Sequence, residues 1–189
     1  MRYGEPGRRG RWVPIWLLLI SGVPALSACG SSKAAEPSGT VAAESYRQGF
    51  CVARTQYQAL VQTMAQRGSA PLNKVDLKAD KQTRLAYVDD MVSGADQIVK
   101  TLVAGGVPNV QGGKAGADAT VAVYRAVEDA FVAARKDFAG ASTDDRTAYL
   151  RAVQKMQKAL VDGANSLGSA AGKQLASIDP AFNSILHCP

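Results

Sequence analysis

Residues 85–102, LAYVDDMVSGADQIVKTL, decide how this 189-residue chain folds. Leu85, Val88, Val92, Ala95, Val99 and Leu102 follow one another in steps of three and four. That spacing keeps them on one stripe of a helix turning every 3.6 residues, whereas a strand needs alternation at every second residue. Gly105-Gly106 and Pro108 stop the pattern, since glycine weakens a helix and proline removes a backbone donor and clashes with the preceding turn.

Three further segments carry the same spacing. The first has Tyr46, Phe50, Ala53, Tyr57, Leu60 and Met64, ended by Gly68 and Pro71. A third has Tyr124, Val127, Phe131, Ala134 and Phe138 before Gly140, and a fourth has Tyr149, Val153, Met156, Leu160, Ala164 and Leu167. Ser142 with Asp145 three residues later reads as a capping box at the start of the fourth. Asp179-Pro180 restarts a short helical turn carrying Phe182, Ile185 and Leu186, with Asp179 as its N-cap and proline at the first position. No segment shows sustained strand alternation. The fold class is therefore all-α, an antiparallel four-helix bundle with a short C-terminal helix, whose three-and-four seams favour crossing angles near about 20°.

Upstream of the bundle lie Arg2, Arg8, Arg9 and Arg11, then the apolar run WVPIWLLLISGV at residues 12–23, then Leu26-Ser27-Ala28-Cys29. Basic region, short apolar core and small residues before a cysteine resemble the signal peptide and lipobox of bacterial lipoprotein precursors. The resemblance covers only about the first thirty residues. It implies cleavage before Cys29, a thioether-linked diacylglycerol on that cysteine, and export to the outer face of the cell membrane. Twelve apolar residues make about 18 Å of helix, short of a hydrocarbon core of about 30 Å. Arg8-Arg9 also resembles, loosely, a twin-arginine signal, so either export route is compatible with the sequence. The domain organisation is then a signal peptide over residues 1–28, a small polar tether over residues 29–40 and the bundle over residues 41–189. From Gly30 to Thr40 the tether reaches at most about 36–40 Å.

The signal changes the charge argument. The whole chain has 22 basic and 16 acidic residues and a net charge of +6. Residues 1–28 hold four arginines and one glutamate, which leaves 18 basic and 15 acidic residues, interspersed, for a net +3. No basic block survives there, so a nucleic-acid partner loses its electrostatic basis.

Cys51 and Cys188 are the two cysteines besides Cys29. In an oxidising compartment an even pair reads as a disulfide, here one that closes almost the whole bundle into a ring. The rival reading, a metal held by Cys51, His187 and Cys188, has too few ligands for a closed site.

Little in the chain points to catalysis. Asp89-Asp90, Glu128-Asp129 and Asp144-Asp145 are adjacent on helical segments, about 100° apart, and do not converge on one reacting atom. Asp80 and Arg84, Asp96 and Lys100, and Arg125 and Asp129 stand four apart, the spacing of solvated surface pairs. The single histidine, His187, sits beside Cys188 near the end of the chain, a poor platform for a preoriented base. Residues 104–116, AGGVPNVQGGKAG, read as a flexible connector or a mobile flap; Pro108 and Ala115 stand where a phosphate loop requires glycine and serine or threonine. Tyr46, Tyr57, Tyr87, Tyr124 and Tyr149 read as packing, or as polar handles if the bundle encloses a cavity.

The sequence thus predicts a membrane-anchored, non-enzymatic helical module, without catalytic residues, metal or cofactor, that binds an envelope protein or a small ligand. A hydrolase or transferase acting on envelope material and a ligand-free spacer are the alternatives.

Overall fold

A computed structural model describes residues 36–168, 173–174 and 177–189. The lipobox and Cys29 lie outside the described residues. Strand β1 (Thr40–Val41) leads into α1 (Ala43–Gly68) and α2 (Leu77–Ala104), followed by β2 (Val107–Pro108), α3 (Gly113–Ala139), α4 (Arg146–Ser166) and the short α5 (Pro180–Ser184). The predicted all-α bundle is the fold: consecutive helices pack against one another around one core. Among the described residues no helix is long and apolar enough to cross a membrane.

The predicted stripes supply most of that core. Tyr46, Phe50, Val88, Val99, Leu102, Phe131, Tyr149 and Leu160 are all buried. In α2 the stripe is wider than the three-and-four spacing indicated. Tyr87, Met91 and Ile98 are buried, while Leu85 and Val92 pack at its margin.

Three local readings are corrected. Asp145, not Ser142, caps α4: its carboxylate accepts from the Thr147 and Ala148 N–H groups, while the Ser142 hydroxyl accepts from Asp144 N one turn earlier. Residues 113–116 belong to the first turn of α3, so the connector is only residues 105–112. The chain reverses at Gly112, whose φ of +69° is a conformation other residues rarely adopt. Gly116 serves a different purpose, since a Cβ there would lie 2.4 Å from the Phe182 ring. Third, Asp80 and Arg84 are buried rather than solvated.

The end of the predicted tether is tied to the bundle. β1 pairs in parallel with β2, Thr40 opposite Val107 and Val41 opposite Pro108. Val107 N donates to Gly39 O and Asn109 N to Val41 O, both at 2.9 Å. The chain therefore enters the bundle at the end where α1 begins and α2 stops.

The tail folds back to the same end. Asp179 caps α5 by accepting from Ala181 N, and Pro180 occupies the first turn, as the sequence predicts. Phe182 is fully buried, 5.7 Å from the Tyr46 ring. Cys188 is bonded to Cys51 on α1 across 137 residues, with their Cα atoms 5.5 Å apart. His187 is exposed beside it.

Candidate functional site

At the other end of α1 the chain turns through residues 69–76 into α2, and two side chains ordinarily found in water are taken into the interior there. Asp76 starts α2, its carboxylate accepting from the Lys78 and Ala79 N–H groups. One turn on, Asp80 faces inward, and Arg84 lies one further turn along the same face. Both side chains are 6 % exposed, and Arg84 Nε donates to Asp80 Oδ2 at 2.7 Å.

Desolvating two charges costs several kcal/mol each unless the remaining lone pairs and protons are met. Here they are. The Tyr149 hydroxyl, from α4, donates to Asp80 Oδ2 at 2.7 Å. The Asn73 N–H donates to Asp80 Oδ1 at 2.8 Å, and Arg84 Nη2 donates to Ala70 O at 3.3 Å. The network ties α4 and the 69–76 turn to α2. Burial by itself would raise the pKa of Asp80, but the bonds from Arg84, Asn73 and Tyr149 outweigh it and hold the carboxyl below its ordinary value. Burial, then the bond to Asp80, pushes the Tyr149 phenol well up. The charged carboxylate and neutral phenol are thus locked in place, so Asp80 has little capacity to take up a proton near neutral pH.

Over this pair lies a half-enclosed hollow of about 240 Å³, lined by Gln66, Arg67, Ala70, Pro71, Thr83 and Tyr87 together with Asp80 and Arg84. Arg67 lies over the Tyr87 ring at 5.3 Å from its centre and pairs outward with Asp90. Burial raises the Tyr87 pKa, opposed by the positive charges of Arg67 and Arg84. Two guanidinium groups therefore act on the phenol of Tyr87, a residue that lines a largely apolar hollow.

Other depressions are more open or more ordinary. One of about 540 Å³ between α1 and α4 is lined by Arg54, Tyr57, Tyr124 and Leu167 and crossed by a bond from the Tyr57 hydroxyl to Ala164 O at 2.6 Å. Another, of about 500 Å³, flanks the disulfide. Four of the five predicted packing tyrosines, Tyr46, Tyr87, Tyr124 and Tyr149, are buried; Tyr57 is half-buried.

The adjacent carboxylates diverge as expected from their spacing. Asp89 pairs with Arg135 and Asp90 with Arg67. Asp96 and Lys100 form the predicted exposed pair at 2.6 Å. Glu128 has a raised pKa, first from partial burial and then from Asp96 and Asp129, but the hollows described above have other linings. Among the described residues no group of three or more His, Cys, Asp or Glu is placed to hold a metal ion.

Sequence reasoning missed the site because Asp80 and Arg84 have the same local spacing as Asp96 and Lys100. The available signal was phase: stepping back from the buried stripe at Met91, Tyr87 and Arg84 reaches Asp80 on the same face. Searches of family models, characterised proteins and solved structures returned no match to this chain.

Proposed function

We propose that the chain is an exported lipoprotein, anchored through Cys29 on the outer face of the cell membrane, whose helical bundle binds a ligand without transforming it. The observation that carries the binding reading is the hollow of about 240 Å³ floored by the buried Asp80–Arg84 pair. A desolvated ion pair facing a cavity is a costly arrangement of the kind that concentrates at functional sites. The locked protonation of Asp80 favours binding over acid–base catalysis.

The hollow lies far from the end at which the chain enters the bundle. The chain enters at β1, and α1, 26 residues long, runs about 39 Å from there at 1.5 Å per residue. The hollow lies at the far end, among residues 66–71 and 80–87. An anchor at Cys29 with a tether no longer than about 40 Å would keep the bundle close to the membrane. Two acyl chains, at about 0.8 kcal/mol per buried CH₂, suffice for stable anchoring.

A protein partner is the second reading, favoured by Val75, which is 98 % exposed in the same turn that walls the hollow. One experiment addresses anchor and site together. Full-length protein and its Cys29→Ala variant are partitioned between detergent and water, and the mature N-terminus is read by mass spectrometry. An acylated Cys29 is expected, with the variant released or unprocessed; an unmodified mature N-terminus would end the anchored reading. Thr83→Leu, which fills the hollow, should abolish co-purification of bound material while leaving the melting temperature within a few degrees. Unchanged co-purification would remove the hollow from the account.

A further inference from the structure

The geometry points to a small organic acid as the occupant of the Arg84 hollow, its carboxylate taken by Arg84 and Arg67 and its short apolar body by Ala70, Pro71 and the Tyr87 ring. This rests on the reading that the hollow is the ligand site.

Charge comes first. A guanidinium carries five N–H donors. Arg84 gives one from Nε to Asp80 and one from Nη2 to Ala70 O, which leaves donor capacity on a side chain that lines the hollow. The carboxylate of Asp80 is spent inward, on Arg84, Tyr149 and the Asn73 N–H. Arg67 stands over the Tyr87 ring, and its counter-charge, Asp90, is not among the lining residues. The lining thus holds two cations and one carboxylate, that of Asp80, whose oxygens are already engaged by Arg84, Tyr149 and the Asn73 N–H, while Asp90 lies outside it, which leaves the wall with a net positive charge. Burial raises the Tyr87 pKa, and the positive charges of Arg67 and Arg84 both oppose that rise. A cation would meet two like charges there, and a neutral ligand would leave the guanidinium donors to water. A carboxylate accepts two parallel N–H bonds from a guanidinium, the strong charge-assisted geometry.

Size and polarity set the rest. About 240 Å³ is room for about eight waters at about 30 Å³ each, hence an acid of roughly that many heavy atoms. Apart from the arginines and the engaged Asp80, the wall is made by Ala70, Pro71, Tyr87, Gln66 and Thr83. Such a surface accepts an apolar body and offers few donors or acceptors to a polyhydroxylated one.

The test uses the full-length protein in detergent, titrated calorimetrically with benzoate and with benzamide, probes of equal size that differ in charge. Benzoate is expected to bind about ten- to hundred-fold more tightly, the usual worth of a charged hydrogen bond. Its affinity should fall with added salt. Arg67→Gln, at an exposed position that leaves the buried pair intact, should weaken benzoate about tenfold and leave benzamide unchanged, and Thr83→Leu should abolish both. Equal affinity for the two probes, abolished for both by Thr83→Leu, would overturn the carboxylate while the ligand-site reading stands. No binding of either probe up to about 10 mM, or binding indifferent to Thr83→Leu, would overturn both.

Discussion

Replacing Asp80 by Asn tests the buried pair most sharply, because surface and interior predict different magnitudes. Asn keeps the size and one acceptor oxygen but removes the charge opposite Arg84. With both side chains only 6 % exposed, the variant leaves a guanidinium uncompensated in the interior, which costs about 3–5 kcal/mol. An exposed i,i+4 pair of the same residues would contribute only about 0.3–0.5 kcal/mol. For a domain of this size the larger loss lowers the melting temperature by about 6–20 °C. Against a typical total of about 5–15 kcal/mol, the variant should still fold in the absence of denaturant. Tyr149→Phe removes one hydrogen bond to a charged group and should cost about 1.5–3 kcal/mol. The double variant Asp80→Asn/Arg84→Met should be less damaged than the sum of its singles, since neither charge is then left alone. Urea unfolding at pH 7, followed by circular dichroism with the disulfide intact, measures the wild type and the four variants, Arg84→Met included. The sign of the pH dependence is fixed as well. Because the Asp80 carboxyl is held below its ordinary pKa, its contribution is complete above about pH 4 and is lost as the pH falls through the lower folded value. The gap between wild type and Asp80→Asn should therefore close in acid. A cost below about 1 kcal/mol at pH 7, or a gap independent of pH, would refute the reasoning.

Three other outcomes are expected. Gly116→Val forces a side chain to within 2.4 Å of the Phe182 ring; it should displace α5, lower the melting temperature and expose the tail to protease, and an unchanged melt would contradict that packing. Cys188→Ser opens a ring of 137 residues, for which the chain-entropy model sets a ceiling of about 4–5 kcal/mol; most helix should survive while the tail becomes cleavable, and two free thiols in the oxidised wild type would refute the pairing. All five tyrosines of the bundle have raised pKa values, Tyr46 and Tyr124 up to about 12, with burial the leading cause in each. Little phenolate absorbance should therefore appear near pH 10 in the folded protein. Stability should fall as the pH rises from about 10 towards the folded values, because the unfolded chain releases those protons first; ordinary titration centred on pH 10 would contradict their burial.

The helical stripes were legible because burial of one face imposes its period on the residues themselves, as with Phe131, Val127 and Tyr124. So were the α5 start at Asp179-Pro180 and the disulfide, which rest on local capping chemistry and on the pairing of two cysteines. The start of α3 was not. Gly113 and Gly116 look like loop residues, yet in the fold they allow close approach, Gly113 to the Pro108 carbonyl and Gly116 to Phe182. For Gly116 that requirement comes from a partner distant in the chain, and neither close approach leaves a local period. The pairing of Thr40 and Val41 with β2 was equally hidden, because two residues cannot show alternation. The Asp80–Arg84 pair was hidden for another reason. Helical spacing states that two side chains meet, but only the phase of the whole α2 stripe states which way they face.

Arginine-selective ¹⁵N NMR of the full-length protein in detergent, with Arg84 assigned through Arg84→Lys, tests the central claim that this pair is buried beneath a ligand site. The Arg84 Nε–H should exchange slowly with solvent at pH 7, unlike that of exposed Arg54, and its guanidinium signals should shift with benzoate and not with benzamide. An Arg84 signal that exchanges as fast as that of Arg54 and responds to neither probe would contradict the account.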